Sequence, residues 1–471
     1  MSIKVKLVAC LGALAPWLLA MPASADETLC SQANPTPPPC IPSTIIPLPD
    51  GQTLRHYDMS FVDPTVHTYV LASQATSAFG TGPSSNPRII VVDTTTNQVV
   101  NEFNANPTFA GSCTIPGIPP GHDTFSGPNG VILIEAKIAR AESGNGQGEN
   151  EGENNQGENG QGNGNGNGKD NGDNWGQNTK GEIWAGDGPI YTPSCAYPGN
   201  IGNISGTLTT PSSVKVIDLK TGHTKASIST GGQARADDLC YNPHSNVVLV
   251  TNSNTIDNFI TFIDARRYDV IGKIKFDGTD ANAGPFSPSS GRKANGIDQC
   301  QFDARDGNFY LNIQATDDGA GHPVSPGYTL RISSTARRSD SEGDGEHDDD
   351  GHFPFKVTGW QSINYTSTSC YAPMGLAVGP AHQLALGCGP APTTTTPANS
   401  LIISDQFDGT AIPAGPAGVD EVWYNSGTNH YYYGGFQARP TALVGVVDAG
   451  STTNNSCNTT PVPSGCPTSD P

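Results

Sequence analysis

Apolar residues fall in short runs that alternate with polar ones, and each run is bounded by Gly, Pro, Asn or Asp. That is the pattern of many short β-strands joined by tight turns. One run recurs in the form xVxxID: RIIVVDTTTNQVV (88–100), SVKVIDLKTGHTKASI (213–228), FITFIDARRYDVIGKI (259–274), SLIISDQFDGTAI (400–412) and LVGVVDAG (443–450). The residues closing it are Asp93, Asp218, Asp264, Asp405 and Asp448. A carboxylate there can accept hydrogen bonds from the backbone of the following turn, so these residues are read as structural and not catalytic.

A second run recurs upstream of the first: MSFVDPTVHTYVLA (59–72), DLCYNPHSNVVLVTN (238–252), DQCQFDARDGNFYLN (298–312), MGLAVGPAHQLALGC (374–388) and EVWYNSGTNHYYYGG (421–435), with GPNGVILIE (127–135) as a reduced copy. Six units of about 40 to 50 residues, each one small antiparallel sheet, form the signature of a β-propeller. The repeats resemble those of the YVTN-type β-propellers, a family of exported bacterial or archaeal proteins. The resemblance spans residues 54–450 without two insertions and implies a fold more than a function. The expected fold class is therefore all-β, a propeller of six blades, or of seven if a strand near Ser43–Leu48 joins the ring.

The first insertion, 142–178, holds 12 Gly and 11 Asn in 37 residues and is too polar to offset chain entropy, so disorder is expected. The second, 337–352, carries seven acids and two His. Such a run can gather divalent cations, although a block of like charge is more often a solvated loop.

Residues 1–25 read as a secretory signal: Lys4 and Lys6, an apolar run from Leu7 to Ala20, then Ala23-Ser24-Ala25. A Pro- and Cys-rich lead (26–53) and a Cys-bearing tail (451–471) flank the repeats. No later stretch is long and apolar enough to span a bilayer as a helix. An exported, periplasmic or extracellular protein is thus expected, with its ten remaining cysteines in disulfides. Proximity suggests Cys30 with Cys40, Cys370 with Cys388, and Cys457 with Cys466. Cys240 and Cys300 lie in comparable strands and can either pair or stay as buried thiols.

Composition narrows the function classes. The chain has 471 residues, 24 Lys+Arg against 44 Asp+Glu, and a formal charge of -20. Removal of two Lys with the signal makes it -22. So acidic a chain is a poor partner for nucleic acid. No GxSxG elbow, HExxH helix, phosphate loop or CxxCH haem motif stands in a suitable context.

Chemistry is best sought at the propeller axis. When the upstream runs are aligned on their turn residue (Pro64, Pro128, Asn242, Asp303, Pro380, Asn425), one register holds Asp58, His122, Asp237, Asp298, Met374 and Asp420. The next holds Met59, Asp123, Asp238, Gln299, Gly375 and Glu421. Innermost strands line the central channel, so these positions converge on one mouth. Crowded carboxylates need a counter-charge or raised pKa values. Calcium suits such an oxygen-rich shell, with Asp58, Asp237, Asp298, Asp420 and Glu421 as ligands. Asp capping of the entry loops is the structural alternative.

Three functions follow. The first is a scaffold that binds a ligand, an ion or another envelope or extracellular protein. The second is a metal-dependent lactonase or esterase, loosely resembling the gluconolactonase-type propellers, with His122 as base. The third is a quinone- or haem-bearing oxidoreductase, for which no motif speaks. Tyr431–Tyr433 beside His430 reads as a strand alternating between core and surface, and Trp184 and Trp423 read as core.

Overall fold

The computed structural model describes residues 57–63, 66–73, 87–103, 109, 127–135, 181–192, 207–253, 258–318, 323–324, 326–334, 354–363, 370, 372–389, 399–403, 411–435 and 443–449, with 6–7, 44–46 and 48 of the leading segment. Both insertions lie outside them, as do His122, Cys30, Cys40, Cys113, Cys195, Cys457 and Cys466.

The architecture is a six-bladed β-propeller. Blade one contains Tyr57–Asp63, Thr68–Ser73, Arg88–Asp93 and Gln98–Phe103. Blade two contains Val131–Glu135, Gly181–Asp187, Ser213–Asp218 and Thr224–Ser229. Blade three contains Ala236–Asn242, Val247–Asn252, Phe259–Asp264 and Asp269–Lys275. Blade four contains Ala294–Asp303, Asn308–Asp317, Gly327–Ser334 and Phe355–Ile363, with Pro323–Val324 on its flank. Blade five contains Ala372–Val378, Leu384–Gly389, Asn399–Ile403 and Ala411–Ala417. Blade six has three strands, Val419–Asn425, His430–Gly435 and Leu443–Asp448. Every blade is an antiparallel meander in chain order.

The turn chemistry follows from the closing Asp and Asn residues. Asp93 Oδ1 accepts from the Thr95 and Thr96 backbone N–H groups at 2.7 and 3.1 Å. Asp218 accepts from Thr221 N and Oγ1, both at 2.8 Å, and Asp264 accepts from Arg266 N at 2.8 Å. Asn242 and Asn425 do the same at the turns that end inner strands. Each such side chain replaces a lost ladder partner at the strand end.

Apolar faces of neighbouring blades interdigitate. Blades three and four share Leu249, Phe262, Ile274, Phe309 and Phe355 in one cluster, where Phe262 and Phe355 stack with ring centroids 4.4 Å apart. Trp184 is fully buried between blades two and three. Tyr431 and Tyr433 are buried against blade five while Tyr432 is only half-buried, the expected alternation. Trp423 is a correction to the expected core: it is half-buried, on the face of the strand opposite the buried Val422 and across from half-buried Tyr432.

Cys240 and Cys300 pair across the inner strands of blades three and four, which resolves that alternative. Cys370 pairs with Cys388 within blade five, as proximity suggested. Disulfides persist in oxidising compartments. Among the described residues no helix is long and apolar enough to cross a membrane.

Side-chain amides join the blades. Gln299 is fully buried: its Oε1 accepts from Leu376 N at 2.5 Å and Val422 N at 3.2 Å, and its Nε2 donates to Val422 O at 3.2 Å. One side chain of blade four thereby holds blades five and six. Gln299→Leu strands two backbone donors and one acceptor in the interior. The expected loss is about 3 kcal/mol, read in urea unfolding as a lower midpoint at unchanged slope.

Candidate functional site

The site is built at the entry end of the inner strands. Inner strands pair irregularly with their neighbours there, with register shifts between Tyr57 and Ser60, Ala236 and Leu239, Ile297 and Cys300, Pro373 and Leu376, and Val419 and Glu421. A β-bulge leaves residues outside the ladder and re-aims their side chains. The residues inside these bulges are Asp58–Met59, Asp237–Asp238, Asp298–Gln299, Met374–Gly375 and Asp420. They are both aligned registers of the sequence in blades one, three, four and five, and the first register alone in blade six, where Glu421 pairs with Gly434.

Two carboxylates, Asp420 and Asp237, act on a third, Asp298. Asp237, Asp238, Asp298 and Glu421 are buried, and Asp420 is partly so. Burial pushes the Asp298 carboxyl well above the ordinary carboxylate range. The Asp420 charge raises it further and Asp237 adds to this, against a lowering by the Gln314 amide and by Arg235. Gln314 Nε2 donates to Asp298 Oδ2 at 2.5 Å, and the Gln299 backbone N–H donates to Oδ1 at 3.0 Å. Arg235 Nε sits 2.8 Å from Asp237 Oδ2. Arg235 and Gln314 were not singled out in the sequence. Arg235 lies directly before the bulge, while Gln314 belongs to the adjacent strand, where no repeat signal marks it.

Close approach of blades shapes the mouth. A Cβ on Gly130 would lie 2.4 Å from the Asp237 carbonyl oxygen, and one on Gly375 2.6 Å from that of Asp420. Glycine is required where one inner strand meets the next so closely. Gly130 N donates to Asp237 O at 3.1 Å.

The other expected residues divide. Gln299 is a structural bridge. The side chain of Asp58 and the whole of His122 lie outside the described residues. Pro128, on which His122 was aligned, stands before the inner strand of blade two, whereas Asn242, Asp303 and Asn425 end theirs. The turn-based alignment therefore does not give His122 an axial place.

A second group, Asp303, Asp306 and His382, brings its donor atoms within 4.8 Å on the opposite face. Arg305 grips both Asp303 oxygens at 2.8 Å, and Tyr310 Oη donates to Asp306 at 2.6 Å. Burial raises the Asp303 pKa, but the Arg305 hydrogen bonds and charge outweigh it and hold the group below its usual range. A carboxylate so neutralised by guanidinium is a poor cation ligand. A small cleft on the same face, lined by Glu135, Glu182, Tyr241, Arg266 and Tyr268, is filled with mutual hydrogen bonds such as Tyr268 Oη to Glu182 at 2.5 Å.

No family model and no curated protein matches the sequence. Among solved structures, the chain is similar to Kuenenia stuttgartiensis hydrazine synthase (12% identity, 83% of each chain, TM-score 0.43). It is also similar to the Dos1 propeller (8% identity, 84% of this chain and 68% of that one, TM-score 0.40) and to the Myceliophteria thermophila Cps50 (Swd1) β-propeller domain (9% identity, 83% and 97%, TM-score 0.37).

Because the folded protein holds the Asp298 proton more tightly than the unfolded chain, whose Asp titrates near ~3.9, stability in chelated buffer should fall as pH rises above about 4 through the folded pKa. Asp298→Asn should remove that decline, measured as urea midpoint against pH. An unchanged profile would refute the coupling.

Proposed function

We propose that this propeller is an exported binding scaffold whose axial mouth takes a hard divalent cation of the calcium type. The carrying observation is that burial, and then the charges of Asp420 and Asp237, raise the Asp298 carboxyl above its usual range at the entry end of the inner strands. A divalent cation relieves that repulsion and replaces the proton, and oxygen-rich irregular shells favour calcium. Asp237, Asp298 and Asp420 are the ligands in this reading, with Asp58 and Glu421 completing the shell. Export accords with the reading of residues 1–25 as a cleaved signal and with the two disulfides. The repeat signature supports a YVTN-type origin. The ion, or the rigid rim it creates, would receive a small polar ligand or another envelope or extracellular protein.

One observation favours a second reading. A buried carboxyl whose proton is held above the ordinary carboxylate range is equipped for acid–base work. Beside a bound cation that polarises a carbonyl, Asp298 would serve a lactonase or esterase. This reading places the proton-holding group on Asp298 and does not depend on His122.

Calcium should raise the thermal midpoint of the chelated protein by roughly 5 °C at saturating concentration. Asp237→Asn and Asp420→Asn should abolish the shift. A midpoint indifferent to calcium and chelator removes both readings. If calcium binds, turnover of a lactone and ester panel that is lost in Asp298→Asn decides for the second.

A further inference from the structure

Two arginines of this chain close turns at the far ends of their strands. Arg266 and Arg305 each follow by two residues the carboxylate they bind, Asp264 and Asp303. Arg235 is placed differently. It precedes its partner Asp237 by two residues, in the loop that leads into the inner strand of blade three. Its Nε lies 2.8 Å from Asp237 Oδ2. That carboxylate does not end a turn. It stands in the bulge at the mouth, where it acts on Asp298 together with Asp420.

The two partners differ in their access to water. The Arg235 side chain is 28% exposed and that of Asp237 4%. A guanidinium at the rim recovers its hydration when it swings outward, whereas the carboxylate stays desolvated whatever its partner does. The backbone beneath the arginine is fixed. Asn252 is buried, and its Nδ2 donates to Arg235 O at 3.4 Å and to Ser212 Oγ and Thr230 Oγ1, both at 3.0 Å. Those two hydroxyls lie 2.7 Å apart, and a Cβ on Gly232 would come within 2.5 Å of Ser212 Oγ. A movable side chain thus stands on a loop that is held in place.

Arg235 therefore has the position of a counter-ion on a tether. It sets a positive charge against the acids of the mouth and lowers the Asp298 carboxyl that Asp420 and Asp237 raise. Its covalent attachment gives it a high effective concentration, so an ion from solution has to displace it from Asp237. A monovalent cation replaces one charge by one charge and forfeits a charge-assisted hydrogen bond. A divalent cation brings a second charge to a place where several carboxylates act together, and the released guanidinium returns to water. Displacement favours the divalent ion alone.

We infer that Arg235 is the specificity-determining residue of the axial mouth: a tethered counter-ion that a calcium-type ion displaces from Asp237 and that sodium and potassium do not. The inference rests on the reading of the mouth as a cation site and adds the group that sets its selectivity and its threshold. A positioning role for Arg235 predicts the opposite sign. If the guanidinium served to hold Asp237 in a binding geometry, its removal would weaken the ion instead of tightening it.

Calcium titration by calorimetry, with thermal midpoints in chelated buffer, tests this in the wild type, Arg235→Gln and Arg235→Lys. Arg235→Gln should bind calcium roughly tenfold tighter. Its chelated midpoint should lie lower, because a buried carboxylate has lost its counter-charge. Sodium chloride should stabilise it relative to choline chloride of equal ionic strength, a difference the wild type should not show. Arg235→Lys keeps the charge and should stay closer to wild type than to Arg235→Gln. If Arg235→Gln does not fold, Arg235→Met, which keeps the apolar stem, takes its place. Equal or weaker calcium binding in the uncharged variant overturns the inference and leaves the cation site standing. Binding by the uncharged variant alone means a counter-ion that calcium cannot displace, which overturns the selectivity. Absence of binding in all the proteins overturns the cation reading itself, and the inference with it.

Discussion

Among the described residues adjacent blades share no strand ladder, so beside isolated backbone bonds such as Gly130 N to Asp237 O the polar backbone at the junctions is satisfied by side chains. Buried carboxamides do this repeatedly. Asn129 donates to Ala236 O at 3.1 Å, Asn258 to Ala294 O at 2.9 Å, Asn312 to Met374 O and Gly375 O at 3.0 and 2.9 Å, and Gln383 to Ala449 O at 3.3 Å. Gln299 reaches two blades at once. An amide is suited to this work because it carries donor and acceptor without a charge that burial would penalise. The apolar clusters supply most of the attraction between blades, and the amides fix their relative position.

That constraint decides where carboxylates can stand. Inner strands are brought together by glycines and amides at their entry ends, and the bulges there leave two residues outside the ladder in blades one, three, four and five and one in blade six. Asp237, Asp298 and Asp420 occupy three such places and are held close by the same packing that joins the blades. The two insertions leave from elsewhere. Glu135 pairs with Gly181, and Ser334 with Phe355, at the strand ends farthest from the carboxylates. Both insertions therefore join the described strands at the ends away from the carboxylates.

Sequence periodicity was a good guide to whatever repeats at a fixed register. The xVxxID strands, the turn-capping Asp93, Asp218 and Asp264, and the recurrent acidic positions are of that kind. The junction amides are not: Asn129 precedes an inner strand, Asn258 a third strand, and Asn312 lies within a second strand. No single register collects them, so their common role emerges only when the blades are adjacent. The same reason hid Gln314 and Arg235. Blade two was misaligned because a turn-like Pro128 occurs at the wrong end of its inner strand, where Gly130 meets the next blade.

Residue type alone does not separate structural from functional acids in this chain. Asp264 and Asp303 are buried and Asp218 partly so, which raises their pKa values, but turn N–H groups and neighbouring Arg or Thr donors outweigh this and leave each below its ordinary value. Asp298 is buried too, and it also accepts an amide and a backbone hydrogen bond, yet its pKa rises. Burial is the largest cause of the Asp298 rise, and the neighbours add to it: two further carboxylates at the mouth, where the turns have donors and guanidinium groups. An acid satisfied by its own turn gains nothing from an added cation, whereas an acid crowded by others gains from any positive charge that reaches it. Among the described residues the acids are therefore of two kinds, those capped by their own turns and those set side by side at the entry end of the inner strands.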